Sequence, residues 1–434
     1  MSESLAGAIP LDGNTEAGIY RKVTLRLIPF LFACYVAAYL DRVNVGFAKL
    51  QMLADLNFSE TVYGLGAGIF FIGYFLFEVP SNIILHRVGA RWWIARIMLT
   101  WAILSGAMMF VTTPMAFYIL RFLLGAAEAG LFPGVILYLT YWYPAERRGK
   151  IIALFMTGIP MAGVIGGPLS GWIMQSMGGA HGLAAWQWLF LIEALPSVVL
   201  GIAVLLYLDN GIEKAKWLSS QEKAILARNV ALDSKRAEAS TGREGFTNPW
   251  VWLLCATYFC FIMGLYGVGF WLPTLIKGVG ITSALSIGLL TVLPYGAGTI
   301  AMVAMGMNSD RVRERRWHLA IPGLIGALAW VASVQYGHSV LIAITALTVA
   351  TACVMTTLSQ FWCLPTAILT GAAAATGIAV INSIGNLAGF VSPYLIGWII
   401  DRTHSTDLGV FTLAASIALG SALALTLPKK LVNH

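Results

Sequence analysis

The stretch RFLLGAAEAG, residues 121–130, sets Arg121 and Glu128 inside a run that is otherwise apolar or small from Ala116 to Leu139. That run is long enough to cross a bilayer, for which roughly 20 mostly apolar residues suffice. Each full charge at such depth costs on the order of several kcal/mol. A chain that keeps two of them there has a use for them.

Composition points the same way. Of 434 residues, 58% are hydrophobic and 11% charged, with a mean hydropathy of +0.78; a soluble chain carries about 25% charged residues. The sequence therefore reads as an all-α membrane protein. Residues 1–20 lack an apolar core, which predicts no cleavable signal peptide. The first long apolar segment, from about Thr24, is then a retained span. Cys34, Cys255, Cys260, Cys353 and Cys363 all fall in apolar segments and show no paired spacing, which argues against a disulfide framework. The net charge of +7 sits in alternate loops. That placement indicates membrane orientation and not a nucleic-acid partner.

Twelve segments have spanning length: about 24–45, 62–85, 92–112, 115–141, 150–176, 187–208, 249–276, 283–307, 318–336, 339–363, 372–400 and 408–428. Counting the N-terminus as cytoplasmic, that side receives Arg21, Lys22, Arg87, Arg91, Arg147, Arg148 and Lys150. It also receives the basic residues between Lys214 and Arg243, those from Arg311 to Arg316, and Lys429 and Lys430. The other side holds only Lys49, Lys277 and Arg402. Cytoplasmic loops concentrate Lys and Arg, so both termini are expected in the cytoplasm. The hydrophilic segment 209–248 divides the chain into six-helix bundles at 1–208 and 249–434. Within it, WLSSQEKAILARNVA predicts a surface linker helix capped by Ser219 or Ser220.

The halves echo each other. PAERRGKIIALFMTGIPMAGVIGGPLSGWI (144–173) and PTAILTGAAAATGIAVINSIGNLAGFVSPYLIGWI (365–399) both open on Pro, pass a Gly-rich middle and close on Trp-Ile. SNIILHRVGARWW (81–93) pairs likewise with MNSDRVRERRW (307–317). Repeats six spans apart with one membrane sense mark a two-bundle transporter whose substrate sits at the midplane.

Few ionisable residues lie at membrane depth: Asp41, Arg42, Glu78, Arg121, Glu128 and Glu193, all in the first half. Arg121 and Glu128 stand two turns apart on one helix face, roughly 10 Å along the axis. Asp41 and Arg42 are adjacent, so their side chains diverge by about 100°. Cross-pairing of Arg121 with Asp41 and of Glu128 with Arg42 would make a neutral cluster. Static pairs holding the bundle together are the plain alternative, yet a buried pair is often no more stabilising than packed apolar residues. The functional alternative is coupling. An anion that takes the arginine leaves the carboxylate without its partner and raises its affinity for a proton. Glu78 reads as a helix-packing carboxylate, with a gate as the alternative, and Glu193 as structural, with a coupling role as the alternative. In the second half, Ser359, Gln360, Trp362, Asn382, Ser383 and Asn386 offer uncharged polar groups, with Asn382 and Asn386 on one face. Tyr39, Tyr74 and Tyr258 are candidate pocket aromatics.

Enzyme signatures are lacking. The six histidines lie in loops, at span ends or at the C-terminus, so no metal site is expected, and no Walker loop or dinucleotide motif appears. No cofactor is expected.

The chain resembles the major facilitator superfamily, in its anion:cation symporter branch, across nearly its whole length. The likeness rests on YLDRVNVGFA (39–48), FEVPSNIIL (77–85), RFLLGAAEAGLFPG (121–134), YWYPAERRGK (141–150), WLSSQEK (217–223) and GIAVINSIGNLAGFVSPYLIGWI (377–399). The superfamily's loop signature is fuller in NSDRVRERR than in LHRVGARWW, where His86 replaces the usual Asp. The resemblance implies proton-driven uptake of a small organic anion: a sugar acid, a tartrate-like acid or an aromatic carboxylate. It implies that Arg42 holds the substrate carboxylate, that Asp41 and Glu128 exchange protons, and that Arg121 pairs with a carboxylate. Tyr39, Tyr74, Ser359, Trp362 and Asn382 would line the pocket. The expected protein is a monomeric, multi-pass carrier of the bacterial inner membrane. An exchanger, an efflux carrier or a non-transporting nutrient sensor of the same fold are the alternatives.

Overall fold

The computed structural model describes residues 13–237, 244–369 and 371–432. The expectations on residues 1–12, Arg243, Thr370 and His434 lie outside the described residues. Within these, twelve helices are long and apolar enough to cross a membrane. They are α1 (Glu16–Leu56), α2 (Glu60–Val88), α3 (Ala90–Phe110), α4 (Pro114–Thr140), α5 (Arg147–Ser176) and α6 (Ala185–Tyr207), then α7 (Pro249–Gly278), α8 (Ala284–Val312), α9 (Arg316–Gln335), α10 (Val340–Ile368), α11 (Thr376–Thr403) and α12 (Asp407–Thr426). An even number of crossings returns both chain ends to one side, called here the terminal side.

Local chemistry starts several of these helices. Thr113 and Asn248 accept backbone N–H bonds from Ala116 and Trp250 (3.3 and 2.9 Å), each followed by a proline in the first turn. A proline there surrenders only an N–H that has no helical partner. Large apolar side chains such as Ile103, Leu206, Ile300 and Leu341 are exposed around the outside. In a spanning helix these face lipid, which has no hydrogen bonds to offer the backbone they cover.

The bundles meet most closely on the side opposite the termini, where small residues let backbones approach. A Cβ on Gly64 would run into the Pro393 backbone, one on Gly397 into Glu60, and one on Gly288 into Gly167. Each of these contacts joins a first-half helix to a second-half helix.

Charge completes this seal, and here one expectation is corrected. Lys49 reads from sequence as a loop charge, but α1 continues to Leu56 and buries it. Its ammonium pairs with Glu60 at 2.6 Å, donates to Thr274 Oγ1 at 3.2 Å and lies 3.7 Å from the Trp271 ring centre. Lys277 donates to the Leu50 carbonyl (3.3 Å), and Asp401 accepts the N–H groups of Glu60 and Thr61 at 3.1 and 2.8 Å. The cation is affordable because an ion pair and an indole face replace its water. A desolvated cation–π contact contributes about 2 kcal/mol, roughly thirtyfold in a closed-to-open ratio. Lys49→Met should therefore open this end more often. Spin-label distances between positions 57 and 280 will show a larger long-distance population, and an unchanged distribution would remove Lys49 from the seal.

On the terminal side the linker helix Ser220–Ala237 forms as expected, with Ser219 as its cap. Ser219 Oγ accepts from Glu222 N (3.2 Å) and Glu222 Oε2 accepts from Ser219 N (2.7 Å), a reciprocal capping box. The Ser219 N–H, and then the Lys22 ammonium at 2.9 Å, hold the Glu222 carboxyl below its ordinary range. A lowered carboxyl contributes above its unfolded value and is lost as pH falls through its folded one. Trp217 stacks on Trp142 at 5.7 Å and donates to Asp209 (2.9 Å), seating the linker on the first bundle.

Candidate substrate cavity

Spanning helices are interrupted where the polar residues lie. The α-helical hydrogen bonding of α1 breaks at Asn44, two residues after Arg42. In α4 the break follows Glu128 directly: Ala129 turns extended (ψ 130°) and Gly130 takes φ +89°. A side chain is strained at that φ, and Ser81 already fills the space a Cβ would need. Helix α10 breaks at Trp362 and α11 at Leu387, next to Asn386. Broken helices belong where the backbone borders a cavity and not lipid.

They surround one. A cavity between the bundles is lined by Arg42, Tyr39 and Tyr74 from the first and by Tyr266, Trp362 and Asn382 from the second. Arg42 is its sole cation among the described residues. The guanidinium donates from Nε to Glu128 Oε1 (3.1 Å), and Nη2 donates to the same oxygen. Its Nη1 reaches Tyr266 Oη across the bundle interface (3.3 Å). The rings of Tyr39, Phe70 and Tyr74 lie 5.3–5.5 Å from it. Glu128 is 1% exposed, so the pair is dry on its carboxylate side. The Tyr39 hydroxyl is buried with no hydrogen-bond partner, a donor left free at the cavity wall.

One expected pair forms and the other does not. Asp41 does not meet Arg121. Its carboxylate turns into the first bundle and accepts from Trp101 Nε1 (3.0 Å), Ser105 Oγ (2.8 Å) and Ser197 Oγ (2.6 Å). Arg121 instead donates to the carbonyls of Gly66 and Ala67 (3.2 and 3.3 Å) and stacks over Phe70. The reason is the close approach of α2 and α4. Gly125 abuts the Phe70 backbone and Gly73 abuts Phe122, which brings carbonyl oxygens with spare lone pairs within reach of Arg121. Neither Arg121 nor Asp41 lines the cavity. Ser359 also stands off the wall and donates to Thr356 O at 2.9 Å.

Two site features were missed in the sequence. Tyr35 and Tyr266 line the cavity, and an internal repeat would have found them. YVAAYLDRVNVGF (35–47) aligns with YFCFIMGLYGVGF (258–270), placing Tyr35 opposite Tyr258 and Tyr266 one residue past the position of Arg42. Glu78, expected to pack a helix, instead accepts from Asn382 Nδ2 at 3.0 Å across the interface. Glu193 stays inside the first bundle, accepting from Ser170 Oγ at 2.5 Å.

Twelve spanning helices in two bundles, broken around a shared central cavity, define a membrane transporter and not an enzyme. The chain belongs to the Major Facilitator Superfamily, whose description matches residues 31–393. It is 51% identical to the "Putative metabolite transport protein NicT" of Pseudomonas putida over 98% of this chain and 97% of that one. It is 49% identical to a "Putative tartrate transporter" of Agrobacterium vitis, over 96% and 93% of the two chains. Among solved structures, the inward-open xylose transporter XylE of Escherichia coli superposes with a TM-score of 0.74 at 15% identity, covering 94% of this chain and 96% of that one. That likeness bears on the fold.

Proposed function

We propose that the protein imports a small organic anion together with protons, by alternating access, across the bacterial inner membrane with both termini in the cytoplasm. The observation that carries this reading is the Arg42–Glu128 pair at the wall of the interbundle cavity. A guanidinium already holding a carboxylate presents the geometry a substrate carboxylate needs. The guest displaces Glu128, and Glu128 then takes a proton because a bare carboxylate in a dry site is costly. Asp41, with three donors that substrate entry leaves in place, fixes the part of α1 that bears Arg42. Tyr39, Tyr74, Trp362 and Asn382 shape the slot around the guest, and Arg121 holds α4 against α2. The cavity lies within one chain, so a monomer suffices. A small organic acid agrees with the name of the Agrobacterium vitis relative.

The test is a thermal-shift screen of purified protein against tartrate, gluconate, benzoate and related carboxylates, followed by pH-jump uptake of each hit into liposomes. Concentrative uptake driven by an inward proton gradient is expected. Binding without accumulation would make the protein a sensor, and accumulation indifferent to pH would remove proton coupling.

A further inference from the structure

The bundles touch across the cavity at a second point that the exchange at Arg42 does not use. Glu78 lies four residues past Tyr74 on α2 and so shares its cavity-facing side. Glu78 is 6% exposed; its Oε1 accepts from Asn382 Nδ2 at 3.0 Å, and Oε2 is buried with no hydrogen-bond partner. Asn382 is itself a cavity wall residue from the opposite bundle. Glu78 therefore holds from behind an amide that a guest would touch from the front.

We propose that Glu78 is a second proton-carrying carboxyl of the transport cycle, engaged by the substrate through Asn382. This rests on the reading of the cavity as an anion site. The charged and titratable groups around Glu78 are Arg42 from α1, Glu128 from α4 behind it, Tyr74 on its own helix, and Tyr258 and Tyr266 from α7. Helix α11 contributes the amides of Asn382 and Asn386. Glu128 holds the Arg42 guanidinium while the cavity is empty, and Glu78 has the Asn382 amide as its side-chain partner. An entering anion claims Arg42 and draws the Asn382 amide forward. Glu128 then has no cation and Glu78 has lost its donor. Each carboxylate gains one proton, forming one O–H bond, and each proton leaves again on the cytoplasmic side after the guest departs. The neutralisation rule for dry carboxylates then requires two protons per substrate molecule.

The experiment uses the full chain in liposomes, with tartrate, gluconate and benzoate run separately. Labelled uptake and internal pH are read together at clamped membrane potentials. Wild type should bring in two protons per molecule. Glu78→Gln keeps an oxygen for Asn382 but carries no proton, so the ratio should fall to one and the charge moved per molecule by one, whichever acid is used. Counterflow exchange should persist. Glu78→Asp keeps the proton but shortens the reach to Asn382; its ratio should stay at two while KM rises severalfold. An unchanged ratio and voltage dependence in Glu78→Gln would overturn the proposal and leave the Arg42–Glu128 reading standing. A wild type that exchanges none of the three acids would overturn that reading and this one with it.

Discussion

Arg42→Ala will abolish carboxylate binding. The guanidinium uses Nε and Nη2 on Glu128 and Nη1 on Tyr266, so it is a planar fork already positioned at the cavity wall. Truncating one partner of a buried, hydrogen-bonded charge pair costs about 2–5 kcal/mol, roughly thirtyfold to several thousandfold in Kd. Part of that loss is the penalty for leaving Glu128 buried with no cation. Arg42→Lys should recover little, because one ammonium cannot reach the carboxylate, the tyrosine and a guest from a single point. Titration calorimetry with the screened carboxylates measures both variants, with size-exclusion profiles to show that each is folded. Wild-type affinity in Arg42→Lys would mean that charge alone suffices and that the fork geometry is irrelevant.

The second large effect belongs to Glu128→Gln. The amide mimics the protonated carboxyl, so Arg42 is left without its resident anion whatever the pH. Binding of the guest should persist and lose its weakening at alkaline pH, since no Glu128 carboxylate returns to compete. Accumulation driven by a proton gradient should fall to the smaller extent that the single proton carried by Glu78 supports, while counterflow exchange continues. The contrast between gradient-driven uptake and counterflow in one preparation is the measurement. Accumulation at the full wild-type level in this variant would remove Glu128 from the coupling. The two substitutions together separate a binding defect from a coupling defect, which a single loss of uptake does not do.

Much of this architecture is legible along the chain because it is decided locally. Spanning helices follow from apolar length, and the match of the twelve segments to α1–α12 depends on no contact between them. The site was partly legible for a different reason. Charge at membrane depth is expensive, so Arg42 and Glu128 stand out against their neighbours, and cancelling that cost predicts the pair that forms. Uncharged cavity residues carry no such penalty. Tyr266, among the aromatics of α7, is therefore visible only through the repeat or the structure.

By itself the sequence determined the class of protein, the number of crossings and the identity of the ion pair at the centre. The tertiary structure decided which way each remaining charge turns. Helical periodicity assigns residues to faces, but the rotation of one helix against another depends on where glycines let backbones meet and where helices break. That is why Arg121 spends its donors on the carbonyls of α2 while Asp41 collects Trp101, Ser105 and Ser197. For the same reason Lys49, an apparent loop charge, seals the bundles at the far end, and Glu78, an apparent packing residue, reaches Asn382 across the cavity.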